Sequence, residues 1–143
     1  MKKVILAILD GIGLSDKEEG NAFKNANTKA IDKLIKEFPN SKLKASGEAV
    51  GLPKGQMGNS EVGHITIGSG RIINQPLQRI NKALEDKTFF EKEEIFEAIN
   101  HAKKNNSKLH ILGLLSEGGV HSHINHIFAL IDIAKKENIK NLY

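Results

Sequence analysis

The chain of 143 residues contains no cysteine and no tryptophan. Without thiols, these residues can build neither a disulfide framework nor a thiolate-ligated metal site. Aromatic residues make up only 5%. A core must therefore be assembled from Ile, Leu, Val and Ala, and the rings that single-stranded nucleic-acid binders stack on bases are too few. No apolar run approaches the ~20 residues that a membrane-spanning helix needs. Positive charge is never concentrated: the formal net charge is +4, yet no run of Lys or Arg exceeds two residues. Such a diffuse balance belongs to solvated lysine faces. As a weak positive field it favours an anionic small substrate over nucleic acid.

What is present suffices for globular structure. Hydrophobic residues make up 39% and charged residues 27%, a balance that excludes a disordered acidic or basic tail. The opening Met1-Lys2-Lys3 and the apolar residues 4–9 mimic a secretory leader. Its apolar run is only six residues long, and Asp10, Gly11 and Gly13 follow where a cleavage pattern would stand. The pattern fits a buried parallel strand in a cytosolic protein.

Further along, Asn27 or Thr28 is expected to cap a helix that carries Ala30, Ile31, Leu34, Ile35 and Phe38 on one face and stops before Pro39. Residues 42–46 read as a short strand. From Gly47 to Gly70 the chain turns glycine-rich, which signals close backbone approach rather than regular structure. A short helix is expected from Ser60, with Ser60 as its N-cap. Pro76 opens the next helix, with Leu77, Ile80 and Leu84 at helical spacing. Residues 91–104 predict a helix with Ile95, Phe96, Ile99 and Ala102 inward. Residues 109–115 predict a buried strand. Residues 123–136 predict a helix with Ile124, Ile127, Phe128 and Ile131 inward, and a further strand begins at 139. This alternation predicts an α/β fold with a parallel sheet, in which the loops after strand ends build the site.

Three places offer chemistry. Asp10, at the end of an apolar segment and before Gly11, suits a hard or borderline cation; it also suits a plain Asp-Gly turn. Ser60 lies at a helix start, where N–H groups and the dipole favour phosphate. A hydroxyl becomes nucleophilic only when a base or cation lowers its pKa. The alternative is a serine that merely caps. The run Gly58-Asn59-Ser60-Glu61-Val62-Gly63 is not the Gly-x-Ser-x-Gly elbow of acyl hydrolases, and no Gly-Lys-Ser/Thr phosphate loop is present. The third place holds His121, His123 and His126 after Gly118-Gly119. These histidines are able to bind metal, hold a phosphate or carboxylate, transfer protons, or simply face solvent at a helix start. His121, nearest the glycines, is the strongest candidate; His64, His101 and His110 lack comparable context.

The strand-end Leu9-Asp10-Gly11, the long run from Gly47-Glu48-Ala49-Val50-Gly51 through Gly58-Asn59-Ser60-Glu61-Val62-Gly63-His64, and Gly118-Gly119-Val120-His121-Ser122-His123 together resemble the cofactor-independent phosphoglycerate mutases of the alkaline phosphatase superfamily. The resemblance covers essentially the whole chain in order. It implies a parallel-sheet α/β phosphatase-like domain with an inserted second α/β domain, both incomplete within these residues. Residues 1–74 would be the first part of the metal-binding domain, and 75–143 the first part of the substrate-binding, transferase domain. The implied reaction interconverts 3-phosphoglycerate and 2-phosphoglycerate without bisphosphoglycerate, through phosphoserine at Ser60. Two divalent metal ions, usually manganese, take part. Asp10 and Ser60 correspond to ligands of one of them, and His121 to a substrate contact. A monomeric, cytoplasmic full-length enzyme with no nucleic-acid or membrane partner is expected. Family members are several times longer, so the 143 residues alone should be inactive. The competing expectations are a phosphatase or phosphopentomutase of the same superfamily and a non-enzymatic module borrowing its fold.

Overall fold

A computed structural model describes residues 3–143. Met1 and Lys2, the basic opening of the leader-like pattern, lie outside the described residues. The chain divides into two units, one up to Lys44 and one spanning Ala45–Tyr143.

The first unit carries two short helices, α1 (Ala22–Asn25) and α2 (Lys29–Glu37). Asn21 caps α1, its Oδ1 accepting from the Lys24 N–H at 3.0 Å. Thr28 stands at the N-cap of α2 and donates its hydroxyl to the Asp32 carboxylate instead of capping the backbone. The helix ends at Phe38, before Pro39, where the ring of proline disfavours helical geometry in the residue ahead of it. The expected apolar face is present but uncovered: Leu34 is 56% exposed and Phe38 equally so.

Residues 4–9 depart from expectation. They are assigned no strand, and Val4 and Ile5 are each 91% exposed. Residues 42–45 likewise form no strand. An apolar run states what a segment can bury, whereas a strand exists only when neighbours take its N–H and C=O groups and helices cover its faces.

The second unit holds every buried hydrophobic residue among those described. It runs through a 3₁₀ turn (Gly47–Val50), α3 (Ser60–Ser69), α4 (Pro76–Glu85), a second 3₁₀ turn (Thr88–Glu91), α5 (Glu93–Lys104) and α6 (Ile124–Lys136). Pro76 occupies the first turn of α4, where its missing N–H costs nothing. One small core joins Val50, Leu52 and Val62, tying α3 to the first 3₁₀ turn. Each such burial contributes on the order of 1.5–3 kcal/mol. Ile99 and Ala102 of α5 and Ala129, Ile133 and Ala134 of α6 supply the other buried positions.

The α5 face matches expectation. The α6 face matches only in part: Ile124 and Ile127 are half-buried, but Phe128 is 52% exposed and Ile131 38%, while Ala129, Ile133 and Ala134 are buried. This helix is apolar almost all round, so periodicity alone cannot choose its inward side. Packing selects the side whose alanines allow close approach.

Helices α5 and α6 end alike. Asn106 and Asn138 adopt φ of +46° and +56°. The N–H of Ser107 then reaches the Ala102 carbonyl, and that of Ile139 the Ala134 carbonyl, each at 2.9 Å. These are Schellman ends, with asparagine in the left-handed position that glycine usually takes. Each turns the chain into an extended segment, and the two segments meet in parallel. Leu109 and Leu142 form an isolated parallel bridge. The Leu109 N–H donates to the Asn141 carbonyl and the Tyr143 N–H to the Leu109 carbonyl. The connection through α6 is thus a helical crossover between parallel partners, the unit from which parallel sheets are built. The parallel sheet itself is not formed: beyond this bridge no strand is assigned among the described residues. None of the described helices is long and apolar enough to cross a membrane.

Candidate functional site

The glycine-rich segment is shaped by close backbone contacts. Gly51 sits at φ +79°, and a Cβ there would fall 1.9 Å from the Ile73 carbonyl oxygen. At Gly58 a Cβ would fall 1.8 Å from the Ala45 carbonyl oxygen. No side chain fits either place, so the segment that delivers α3 is held by main chain against main chain.

The start of α3 lies one residue earlier in role than expected. Asn59, in extended geometry, is the N-cap, and its Oδ1 accepts from the Val62 N–H at 3.1 Å. Ser60 is therefore the first helical residue, and the capping duty falls on its neighbour. Its Oγ lies 3.2 Å from Nδ1 of His64, and the same Nδ1 lies 2.8 Å from the Ser60 carbonyl oxygen. His64 is not among the sequence candidates, because no second histidine lies near it as in the 121–126 loop. The available signal was the spacing of four, which stacks two side chains on one helix face.

The histidine segment is equally structured. The Ile124 N–H donates to the Ser116 carbonyl at 2.8 Å, and the Ser122 hydroxyl donates to the Leu114 carbonyl. Gly119 takes φ +64°. His123 is the N-cap of α6, its Nδ1 accepting from the Asn125 N–H. His126 lies with Nε2 2.7 Å from Oδ1 of Asn81 on α4. An amide oxygen only accepts, so Nε2 carries hydrogen.

A cavity of about 660 Å³ connects these parts. Gln56, Asn59 and Glu61, which bracket Ser60, line it together with His121, His123 and His126. The second unit thus brings the serine's immediate flanks and the histidine loop to one hollow, although they lie about sixty residues apart. Asp10 belongs to the first unit, exposed in a turn with Gly11 at φ +85°. Oxygen donors such as Asp10 and Ser60 suit a hard cation. No group of three or more His, Cys, Asp or Glu placed to hold a metal occurs among the described residues.

Burial holds the His126 imidazole below its ordinary value, and the nearby His123 adds a smaller push in the same direction. The folded protein thus binds this proton less readily than the unfolded chain. The resulting stability is complete above the ordinary histidine value of about 6.5 and is lost as pH falls below it. The Nε2–H bond to Asn81 persists in either charge state, so the loss comes from burying the charge. His126→Gln, which keeps a donor toward Asn81 and removes the titration, is expected to flatten the fall in melting temperature between about pH 7 and pH 5.5. An unchanged slope would assign that acid sensitivity to other groups.

Comparison with known proteins bears on what this hollow belongs to. Residues 80–143 match the family described as BPG-independent PGAM N-terminus. Across 140 residues the chain is 59% identical to a 2,3-bisphosphoglycerate-independent phosphoglycerate mutase of Aster yellows witches'-broom phytoplasma, covering 98% of this chain and 27% of that protein. It is 60% identical over 139 residues to the protein of the same description from Mycoplasmoides gallisepticum, covering 97% and 28%. For the Clostridium tetani protein of that description the figures are 58% over 142 residues, 99% and 28%. The chain thus spans just over a quarter of the length of the curated relatives it matches. Both the glycine-rich run with Ser60 and the histidine loop fall within these alignments, and the chain belongs to the 2,3-bisphosphoglycerate-independent phosphoglycerate mutase family, whose N-terminal region it matches.

Proposed function

We propose that these residues form the N-terminal region of an enzyme that interconverts 3-phosphoglycerate and 2-phosphoglycerate through phosphoserine at Ser60. The observation that supports this reading is the shared cavity, lined both by the flanks of Ser60 and by His121. In the proposed reaction the Ser60 Oγ attacks phosphorus in line with the departing 3-oxygen of glycerate. The new Oγ–P bond forms as the old P–O bond breaks, and the serine's proton is balanced by one gained on the glycerate oxygen. The 2-hydroxyl then attacks the same phosphorus and gives up its proton, and Ser60 leaves with its hydrogen restored. Such transfers depend on positioning and on charge neutralisation.

The chain's own contributions follow from placement. The first turn of α3 directs N–H groups and its positive dipole end toward an anion near Ser60. His121 is exposed and lines the cavity, and in the proposed reaction it would donate to the substrate's carboxylate or phosphate. Glu61 also lines this cavity and opposes a dianion there, so positive charge must be supplied nearby. Asp10 and Ser60 are the residues here that would serve as metal ligands. Two divalent cations, manganese for preference, would when bound lower the serine's pKa and offset phosphate charge. The proposed organisation is an α/β phosphatase-like region over 1–74 and the beginning of an inserted substrate-binding region over 75–143. The proposed setting is a cytoplasmic, monomeric full-length enzyme.

Assay of the full-length protein against 3-phosphoglycerate, ribose phosphate and a generic phosphomonoester tests the reading. Interconversion of phosphoglycerates is expected, with the other two turned over far more slowly. Preference for ribose phosphate would favour the phosphopentomutase reading and overturn this one. The 143 residues alone are expected to give no measurable turnover. Activity from them would contradict the requirement for the remaining metal and substrate ligands.

A further inference from the structure

We infer that His64 is a positioning residue for Ser60, clamping the serine oxygen with a shared Nδ1–H donor, and that it is not the base that takes the hydroxyl proton. The inference rests on the proposed role of Ser60 as phosphoryl acceptor.

The geometry sets the direction of each bond. Nδ1 of His64 lies 2.8 Å from the Ser60 carbonyl oxygen and 3.2 Å from the Ser60 Oγ. A carbonyl oxygen has no hydrogen to give, so the shorter contact requires hydrogen on Nδ1. A ring nitrogen that carries hydrogen has no lone pair left in the ring plane. It therefore cannot accept from the hydroxyl, and Oγ receives the second branch of the same N–H. The hydroxyl's own hydrogen is then directed away from His64.

Helix geometry makes the arrangement possible. Side chains lean toward the N-terminus, so the imidazole at position 64 lies over the turn that holds Ser60. One donor thereby restrains both the backbone and the side chain of the first helical residue. Asn59 supports this by taking the cap bond to Val62, a duty that a serine at that place would otherwise perform.

The restraint matters because in-line transfer tolerates little misplacement. To the extent that the His64 bond selects one of the three staggered χ1 wells, its loss costs about threefold. Misplacement by about 1 Å can cost about a hundredfold. Loss of the clamp should therefore slow phosphorylation of Ser60 by between about threefold and about a hundredfold, with KM for phosphoglycerate little changed.

The test uses three variants of the full-length mutase: His64→Ala, His64→Asn and His64→Gln. An asparagine amide nitrogen stands where imidazole Nδ1 stands, whereas glutamine carries its nitrogen near the place of Nε2. The readout is single-turnover formation of phosphoserine at Ser60, located by peptide mass spectrometry, with thermal melting as the check on folding. Slow phosphorylation in the Ala and Gln variants with recovery in the Asn variant is the expected result. If His64→Ala misfolds, the Asn and Gln pair alone decides. Wild-type rates in His64→Ala, or equal behaviour of the Asn and Gln variants, would overturn the inference and leave Ser60 in its role. Absence of phosphoserine at Ser60 in the unmodified enzyme would instead remove the acceptor reading, and this inference with it.

Discussion

Ser60→Ala in the full-length enzyme is expected to abolish phosphoryl transfer and leave the fold untouched. Removing a nucleophile that forms a covalent intermediate costs about 10⁴-fold or more in turnover. Its neighbours Asn59 and His64 cannot replace it: Asn59 is occupied as the cap, and His64 holds its Nδ1 hydrogen on the Ser60 carbonyl. The stability side of the prediction is equally specific. If Ser60 were the N-cap, its loss would cost about 1 kcal/mol. As the first helical residue, exposed to solvent, it should change stability by no more than about 0.5 kcal/mol when replaced by alanine. Asn59→Ala should show the larger cost, about 1 kcal/mol, because it removes the Oδ1 acceptor for Val62. Phosphoglycerate turnover, mass analysis of the Ser60 peptide and urea midpoints together check these statements. Turnover within tenfold of the unmodified enzyme in Ser60→Ala would dispose of the acceptor role.

Gly51→Ala is expected to be the most damaging glycine replacement for the second unit. The residue stands at φ +79°, which costs an L side chain about 1–2 kcal/mol. Its new Cβ would lie 1.9 Å from the Ile73 carbonyl oxygen, and that neighbour is backbone. Relief requires separating two stretches already stapled together, since the Gly51 carbonyl accepts from the Gln75 N–H at 2.8 Å. Gln75 is also the N-cap of α4, so the disturbance passes to the helix that carries Asn81. The combined cost is about 3 kcal/mol or more. That corresponds to a fall in melting temperature of more than about 10 °C for a domain of this size. Gly63→Ala is the control. It lies inside α3 with no atom within 4 Å of the added carbon apart from its chain neighbours and the helix's own backbone, and alanine there should raise stability by about 0.5–1 kcal/mol. Equal effects at the two positions would mean that the backbone contact at Gly51 is not what holds the segment.

Local signals were legible where a residue acts on its own backbone. Pro39 and Pro76 marked a helix end and a helix start because a missing N–H and a fixed φ act within one turn. The inward face of α5 was legible because its apolar residues occupy one side only. The inward face of α6 was legible only in part, because apolar residues cover most of its circumference and the partner surface selects the side. The strands expected over 4–9 and 109–115 illustrate the same limit. Their composition is apolar, but strand formation belongs to a pair or a sheet, and among the described residues pairing stops at the Leu109–Leu142 bridge and its flanking bonds.

The candidate site divides in the same way. Ser60, His121 and Asp10 stood out in the sequence because glycines and an apolar run flank them, and glycine is where a backbone must come close to something. The sequence by itself determined which side chains are available and which helix starts can receive an anion. The tertiary structure decided that Asn59 rather than Ser60 caps α3, that His64 reaches back to the serine, and that the residues around Ser60 share a cavity with a histidine loop some sixty positions away. These are facts of distance across turns and between helices. Residues remote in sequence meet only because packing and main-chain contacts, such as those at Gly51 and Gly58, fix the path between them.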